Sequence, residues 1–177
     1  PRKDVLDWAN VASLIHYEPR NQSEADYQVI AVAMVLSSVR ISDLWLFLRS
    51  IDRRGGLLCS EIVVTKHPHP TISPIVFEPV RVLLERNGMP AFRTEQLVRR
   101  GVAKLFRSIG ITKQVQIHSL RRSFVSNFLS LGLIPDHLLA RVFTGHAISG
   151  DRSIFHRYNH AGMLTAQMTV IQLLRMV

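Results

Sequence analysis

Apolar and polar positions alternate with a helical period over most of this chain. The opening segment "DVLDWANVASLIHY" spaces its apolar side chains at helical intervals, which predicts an amphipathic helix. The following segment, "NQSEADYQVIAVAMVLSS", has Ser23 in a capping position and then an almost wholly apolar run. This run predicts a core helix that is buried on most sides. A third helix is predicted over "ISDLWLFLRSID", with Ser42 as its cap.

The pattern then changes from helix to strand and back to helix. "LLCSEIVVTK" and "TISPIVF" are rich in β-branched residues and flank "HPHP", which predicts a β-hairpin with Lys66 at its tip. Helices are predicted from Glu78 to Asn87 and over "RTEQLVRRGVAKLFRSIG", capped by Thr94 and ended by Gly110. Three more are predicted over "HSLRRSFVSNFLSLG", "PDHLLARVFTG" and "AGMLTAQMTVIQLLRMV". The predicted fold class is mainly α with a small antiparallel β-sheet or hairpin (α+β).

Length and composition favour one globular domain. The 177 residues, 47% of them hydrophobic, suffice for one substantial core, and no repeat or flexible linker divides them, so we expect residues 1–177 to form a single domain. The longest mainly apolar run, from Tyr27 to Leu36, is too short to span a bilayer, and we expect no membrane partner. A lone Cys59 excludes an internal disulfide and favours an intracellular location over secretion.

Positive charge is concentrated in one part of the sequence. The formal net charge is +9, and residues 91–125 hold eight basic side chains against Glu95 alone. Such a concentration is typical of a surface that binds a polyanion, most often nucleic acid, although charge alone fits a solvated basic face equally well. Three of these basic residues are spaced i, i+4 and i+7 on a predicted helix and therefore share one face. They are Arg100, Lys104 and Arg107. The candidate DNA-binding residues are Arg93, Arg99, Arg100, Lys104, Arg107, Lys113 and Arg122.

The segment "HSLRR" places His118 and Arg121 three residues apart at the start of a predicted helix. Both side chains therefore project from one face near its N-terminal end. A phosphate bound there would meet an imidazole, a guanidinium and unpaired backbone N–H groups together. Taken alone, the pair is weak support for a site, because a surface histidine beside an arginine is the commoner case.

Five short motifs give this pair its context. They are "VRISDLWLF" at 39–47, a lysine in a predicted β-turn at 66, "HSLRRSF" at 118–124, "ARVFTGH" at 140–146 and a tyrosine at 158. In this order, and over nearly all of the chain, they resemble the C-terminal catalytic domain of the tyrosine recombinase, or phage integrase, family. The resemblance implies a site-specific recombinase that cleaves and rejoins DNA through a covalent 3′-phosphotyrosine, without a metal ion, ATP or another cofactor.

The resemblance also assigns roles to individual residues. Arg40 matches the first arginine, which contacts the scissile phosphate, and Asp43 matches the acidic residue that supports the site. Lys66 matches the lysine that protonates the leaving 5′ oxygen. His118 matches the histidine that assists proton transfer, and Arg121 matches the arginine that clamps the phosphate. Without the family pattern, these side chains would be read as an ordinary helix-end arginine, a turn lysine and a surface pair.

The last two matches complete the implied site and include one departure. His146 matches a position that hydrogen-bonds the phosphate, and Tyr158 matches the nucleophile. The interval between them is longer than in most family members by about one helical turn, and the usual offset falls on Phe155. Either the active site has decayed or the loop holds an insertion. We favour an insertion, because Gly150 and Asp151 mark a loop that can absorb one and "YNH" resembles the usual ending.

Neither a metal site nor a nucleotide site is predicted. The pairs His67 and His69, and His156 and His160, have spacings that fit a metal, but each lacks further ligands. "GHAISGD" has two glycines five residues apart but lacks the following lysine and preceding strand of a phosphate-binding loop.

The resemblance implies partners and leaves alternatives open. The partners would be double-stranded DNA recombination sites and further copies of the chain, as a dimer or tetramer on DNA. The apolar helix predicted over 161–176 would either dock into a neighbouring subunit or pack on its own core. The family's N-terminal core-binding domain, which completes a clamp around DNA, has no counterpart in these residues. A type IB topoisomerase, a telomere resolvase, or an inactive DNA-binding or accessory protein remains an alternative.

Overall fold

A computed structural model describes residues 5–37, 39–54, 57–60, 77–112 and 115–131, and these ranges are mainly helical. In chain order the elements are α1 (Trp8–His16), α2 (Gln22–Ser37), α3 (Leu44–Arg49), β1 (Asp52–Arg54), β2 (Leu57–Cys59), α4 (Glu78–Asn87), α5 (Glu95–Ile109) and α6 (Ile117–Ser130). The hairpin tip at Lys66 and the helices predicted over 135–145 and 161–176 lie outside the described residues, and they stay predictions.

Helix α2 is the central helix of the described fold, and it is enclosed as its apolar run predicts. Every residue from Val29 to Leu36 is buried, and α1, α4, α5 and α6 all pack against the helix. The predicted cap was wrong. Asn21, not Ser23, caps α2, because its Oδ1 accepts a hydrogen bond of 3.0 Å from the backbone N–H of Glu24, in the first turn.

A buried amide ties two neighbouring helix ends to α2. The side chain of Gln28 donates from Nε2 to the carbonyl oxygens of Leu14 and Tyr17, both at 2.8 Å. Its Oε1 accepts from Arg86 Nη2 and Asn87 Nδ2, both at 3.0 Å. The last carbonyls of a helix have no partner within the helix, so Gln28 satisfies the end of α1 while it holds the end of α4.

Three predicted helices are confirmed with nearly the predicted bounds. Helix α4 has the predicted bounds, and α6 begins and ends within two residues of its predicted segment. The Oγ1 of Thr94 accepts from the N–H of Leu97 at 3.5 Å at the start of α5. Gly110 ends α5 with a φ of 83°, a left-handed conformation that favours glycine.

The segment after α2 differs from its prediction. Helix α3 is shorter than predicted, and its N-cap position is occupied by Asp43 rather than by Ser42. The chain then turns into β1, which pairs antiparallel with β2 so that Arg53 lies opposite Leu58. Residue 52, predicted to end the helix, therefore begins a strand, whereas β2 lies where a strand was predicted. The larger predicted hairpin is not established by this short pair.

The core gathers around α2 from all of the neighbouring elements. Its largest fully buried side chains include Phe47 from α3, Phe77 before α4 and Phe124 from α6. No helix within the described ranges is both long enough and apolar enough to cross a membrane.

Helix α5 carries a glycine, Gly101, where it packs against Tyr27 of α2. A Cβ atom on Gly101 would lie 1.9 Å from the Tyr27 Cζ atom and 2.2 Å from both ring Cε atoms. No side chain fits at that distance, so the ring of Tyr27 occupies the space that the glycine leaves.

We predict that Gly101→Ala destabilises the protein by about 1–2 kcal/mol, because overpacking costs more than the helix propensity of alanine returns. In a Tyr27→Ala background, which removes the ring, the same replacement should stabilise the protein by up to about 1 kcal/mol. Urea unfolding of the four variants measures both effects. Equal effects of Gly101→Ala in the two backgrounds would contradict this packing account.

Candidate phosphate and DNA-binding site

The turn between α2 and α3 carries two of the predicted site residues. The backbone N–H of Asp43 donates to the carbonyl oxygen of Arg40 at 3.0 Å, so one turn holds both residues. Asp43 is buried, and its Oδ1 accepts a hydrogen bond of 3.3 Å from Ser42 Oγ. Arg40 is half-buried. The buried end of α2 therefore fixes the backbone positions from which the side chains of Arg40 and Asp43 extend.

Arg121, in the second turn of α6, lies close to both of them. Burial lowers the pKa of Arg121 below its ordinary value, the nearby charge of Arg40 lowers the pKa further, and the carboxylate of Asp43 raises it. Such effects on the pKa of Arg121 act over short distances, so Arg40 and Asp43 lie near its guanidinium. Residues about 80 positions apart in the sequence are thus brought together.

The chemistry of this cluster suits a bound anion. An arginine guanidinium stays protonated at any physiological pH and presents a planar fork of donors that matches two phosphate oxygens. Arg40 and Arg121 repel each other, and Asp43 attracts Arg121. A phosphodiester between the two guanidinium groups would replace repulsion by two charge-assisted sets of hydrogen bonds.

His118 lies in the first turn of α6, one turn before Arg121, and its side chain is exposed. The turn is anchored by Gln116, whose carbonyl oxygen accepts from the N–H groups of Ser119 at 2.8 Å and Leu120 at 3.3 Å. This position leaves the imidazole accessible to a ligand. The other predicted catalytic residues, Lys66, His146 and Tyr158, lie outside the described residues.

One face of α5 carries exposed basic side chains. Arg100, Lys104 and Arg107 are all exposed, and their spacing places them in one stripe opposite the buried stripe of the helix. Arg99, beside this stripe, donates to Glu95 at 2.6 Å within the same helix. The exposed stripe has the positive charge of a surface that binds a phosphate backbone.

The remaining candidate DNA-binding residues are placed differently. Arg93 donates to Asp26 at 3.0 Å and stacks over the ring of Tyr27, with its Cζ atom 5.2 Å from the ring centroid. Arg93 thus links the start of α5 to α2. Arg122 is exposed on α6, and Lys113 lies outside the described ranges. Among the residues that the structure describes, no three His, Cys, Asp or Glu side chains are grouped to hold a metal ion.

Comparison of the sequence with protein families and with curated proteins found no match. Comparison of the structure did find matches. One is a XerH site-specific recombinase bound to a palindromic difH substrate in a post-cleavage complex, with a TM-score of 0.62, 13% identity, 89% of this chain covered and 52% of that chain. Another is XerH bound to difH in a pre-cleavage complex, with a TM-score of 0.63, 15% identity, 82% of this chain covered and 47% of that chain.

These matches concern the fold. This chain spans about half the length of the XerH chains, and it shares a mainly helical fold with the part that it covers at low sequence identity.

Proposed function

We propose that this chain is the catalytic domain of a site-specific DNA recombinase or integrase, which cleaves and rejoins strands through Tyr158. The observation that carries the proposal is the convergence of Arg40, Asp43 and Arg121 in one charged cluster. The shared fold supports it, because the matched structures are recombinase–DNA complexes. The exposed basic stripe of α5 supports it further, since the stripe would bind the phosphates that flank the cut.

In the proposed first step, the phenol oxygen of Tyr158 attacks the scissile phosphorus. The bond from phosphorus to the 5′ oxygen breaks, and Lys66 donates a proton to that oxygen. His118 assists transfer of the tyrosine proton, while His146 hydrogen-bonds the phosphate. Tyrosine, with an ordinary pKa of about 10, needs such help to act as a nucleophile near neutral pH.

Arg40 and Arg121 would stabilise the transition state of this step. The phosphoryl oxygens carry negative charge that repels a nucleophile and that spreads during attack. Two fixed guanidinium forks answer this charge without reorganising, so they favour the transition state over the ground state. Asp43 would hold the two guanidinium groups in place relative to each other, because its buried carboxylate lies near both arginines.

In the second step, the 5′ hydroxyl of another strand would attack the 3′-phosphotyrosine and release Tyr158. One phosphoester bond is exchanged for another in each step, so neither ATP nor a metal ion is required. The partners would be double-stranded recombination sites and further copies of the chain on DNA, which places the protein inside the cell on its DNA. The segment 161–176 would either contact a neighbouring subunit or pack on its own core.

We predict that Tyr158→Phe abolishes covalent attachment to DNA, because phenylalanine has no oxygen to attack phosphorus. A pool of end-labelled nicked duplexes of randomised sequence traps any attack, since the cleaved fragment diffuses away. Denaturing gels then measure the labelled protein, and sequencing of the trapped DNA gives the site. Tyr27→Phe is the matched control, because it removes a hydroxyl but keeps the ring under Arg93.

Labelled protein that persists in Tyr158→Phe would refute Tyr158 as the nucleophile. DNA binding without any adduct in the unaltered protein would favour an inactive DNA-binding or accessory protein. Relaxation of supercoiled plasmid that lacks the recovered site would favour a type IB topoisomerase.

We predict that Arg100→Gln, Lys104→Gln and Arg107→Gln each reduce the slope of log affinity against log salt by about 0.9, the value expected for one lost phosphate contact on duplex DNA. Fluorescence anisotropy with a random duplex at several salt concentrations measures the slope. Arg81→Gln is the control, because it changes the net charge equally while Arg81 is paired with Glu78 and Glu85. An equal reduction in the control would mean that net charge, not the α5 stripe, governs binding.

A further inference from the structure

The peptide backbone of Leu6 is held by two side chains of α6. Its N–H donates to Ser123 Oγ at 2.9 Å, and its carbonyl oxygen accepts from Asn127 Nδ2, also at 2.9 Å. Leu6 and Ser123 are fully buried, and Asn127 is 7% exposed. Residues 5–7, termed here the N-terminal strap, are therefore fixed to a helix more than 110 positions away in the sequence.

The strap and the phosphate cluster lie on opposite faces of α6. Successive residues of an α-helix are rotated by about 100°, so Ser123 lies about 200° around the helix from Arg121. Asn127 follows Ser123 by one turn and shares its face. One face of α6 thus carries Arg121 towards Arg40, while the other face is held by the strap.

These two hydrogen bonds add a directional constraint to the apolar packing that positions α6. The hydrophobic effect is not directional by itself, although the close packing of buried side chains such as Phe124 resists large shifts of α6. A buried peptide group, in contrast, needs partners at a narrow range of distances and angles. A slide of α6 by one residue, about 1.5 Å, would break both bonds to Leu6.

We propose that Ser123 and Asn127 are positioning residues for strand transfer: by clamping the Leu6 peptide group, they hold α6 where Arg121 and Arg40 grip one scissile phosphate. The proposal rests on the proposed function, and it adds two residues that act on the phosphate site through the position of α6. The strap ends at Asp7, the cap of α1. A displacement of the strap would therefore move Arg121 although the strap hydrogen-bonds only to Ser123 and Asn127, on the other face of α6.

The test compares Asn127→Ala and Ser123→Ala with the unaltered protein. Ser130→Ala is the matched control, because the Ser130 hydroxyl donates at 2.6 Å to the carbonyl oxygen of Asn127 rather than to the strap. Single-turnover cleavage is measured on nicked duplexes of the recovered site, with either an ordinary phosphodiester or a neutral methylphosphonate at the scissile position. The dissociation constant for the same DNA is measured in parallel.

We expect Asn127→Ala and Ser123→Ala each to reduce the rate of phosphodiester cleavage by about tenfold or more. The dissociation constant for DNA should change by less than about twofold. The methylphosphonate carries less charge for the arginines to neutralise, so its cleavage should be slowed much less. The ratio of the two rates is independent of how much protein is folded, and a purely structural role would leave it unchanged. Ser130→Ala should keep both rates.

Equal slowing on both substrates, or cleavage at the unaltered rate, would overturn the positioning role. If Asn127→Ala does not fold, Ser123→Ala decides the question, since it removes fewer atoms and keeps the Asn127 bond. Absence of any adduct with the unaltered protein would refute the proposed function and this inference together. Normal cleavage by the unaltered protein and by both variants would refute the inference alone.

Discussion

The enclosure of α2 is the constraint on which the rest of the described structure depends. A helix that is apolar on every face must be covered on every face, and α1, α4, α5 and α6 supply that cover. The end of α2 delivers Arg40, and α6, packed along α2, delivers Arg121. Two arginines far apart in the sequence therefore meet because one apolar helix cannot be left exposed to water.

That meeting places like charges close together, and the attraction between Asp43 and Arg121 acts against their repulsion. Arg40 and Arg121 repel each other, and burial adds to the cost of charge on Arg121. Groups whose pKa is shifted by burial and by neighbouring charges are enriched at functional sites. A phosphodiester would relieve the repulsion, and it is also the group whose charge the proposed chemistry must stabilise. The attraction between the two guanidinium groups and the phosphate would therefore serve both binding and catalysis.

Local signals in the sequence predicted the helices and their ends. They did not predict the contacts between residues far apart in the sequence. Thr94 and Gly110 mark the ends of α5 because caps act within one turn of the residues they satisfy. Arg93 was grouped with the DNA-binding residues because a charge pattern along the chain does not reveal its partner, Asp26, 67 positions earlier. Asn127 gave no signal either, since only the folded chain brings Leu6 beside it.

The most direct measurement of the central claim, that Arg40 and Arg121 act on one phosphate, is a double-mutant cycle on the single-turnover rate of DNA cleavage. We expect Arg40→Ala and Arg121→Ala each to slow cleavage by about 10²- to 10³-fold, as loss of a transition-state donor does. The double variant should be slowed far less than the product of the two losses, because groups that act as a unit are not additive. Losses that multiply, or a single variant that cleaves at the unaltered rate, would contradict the account.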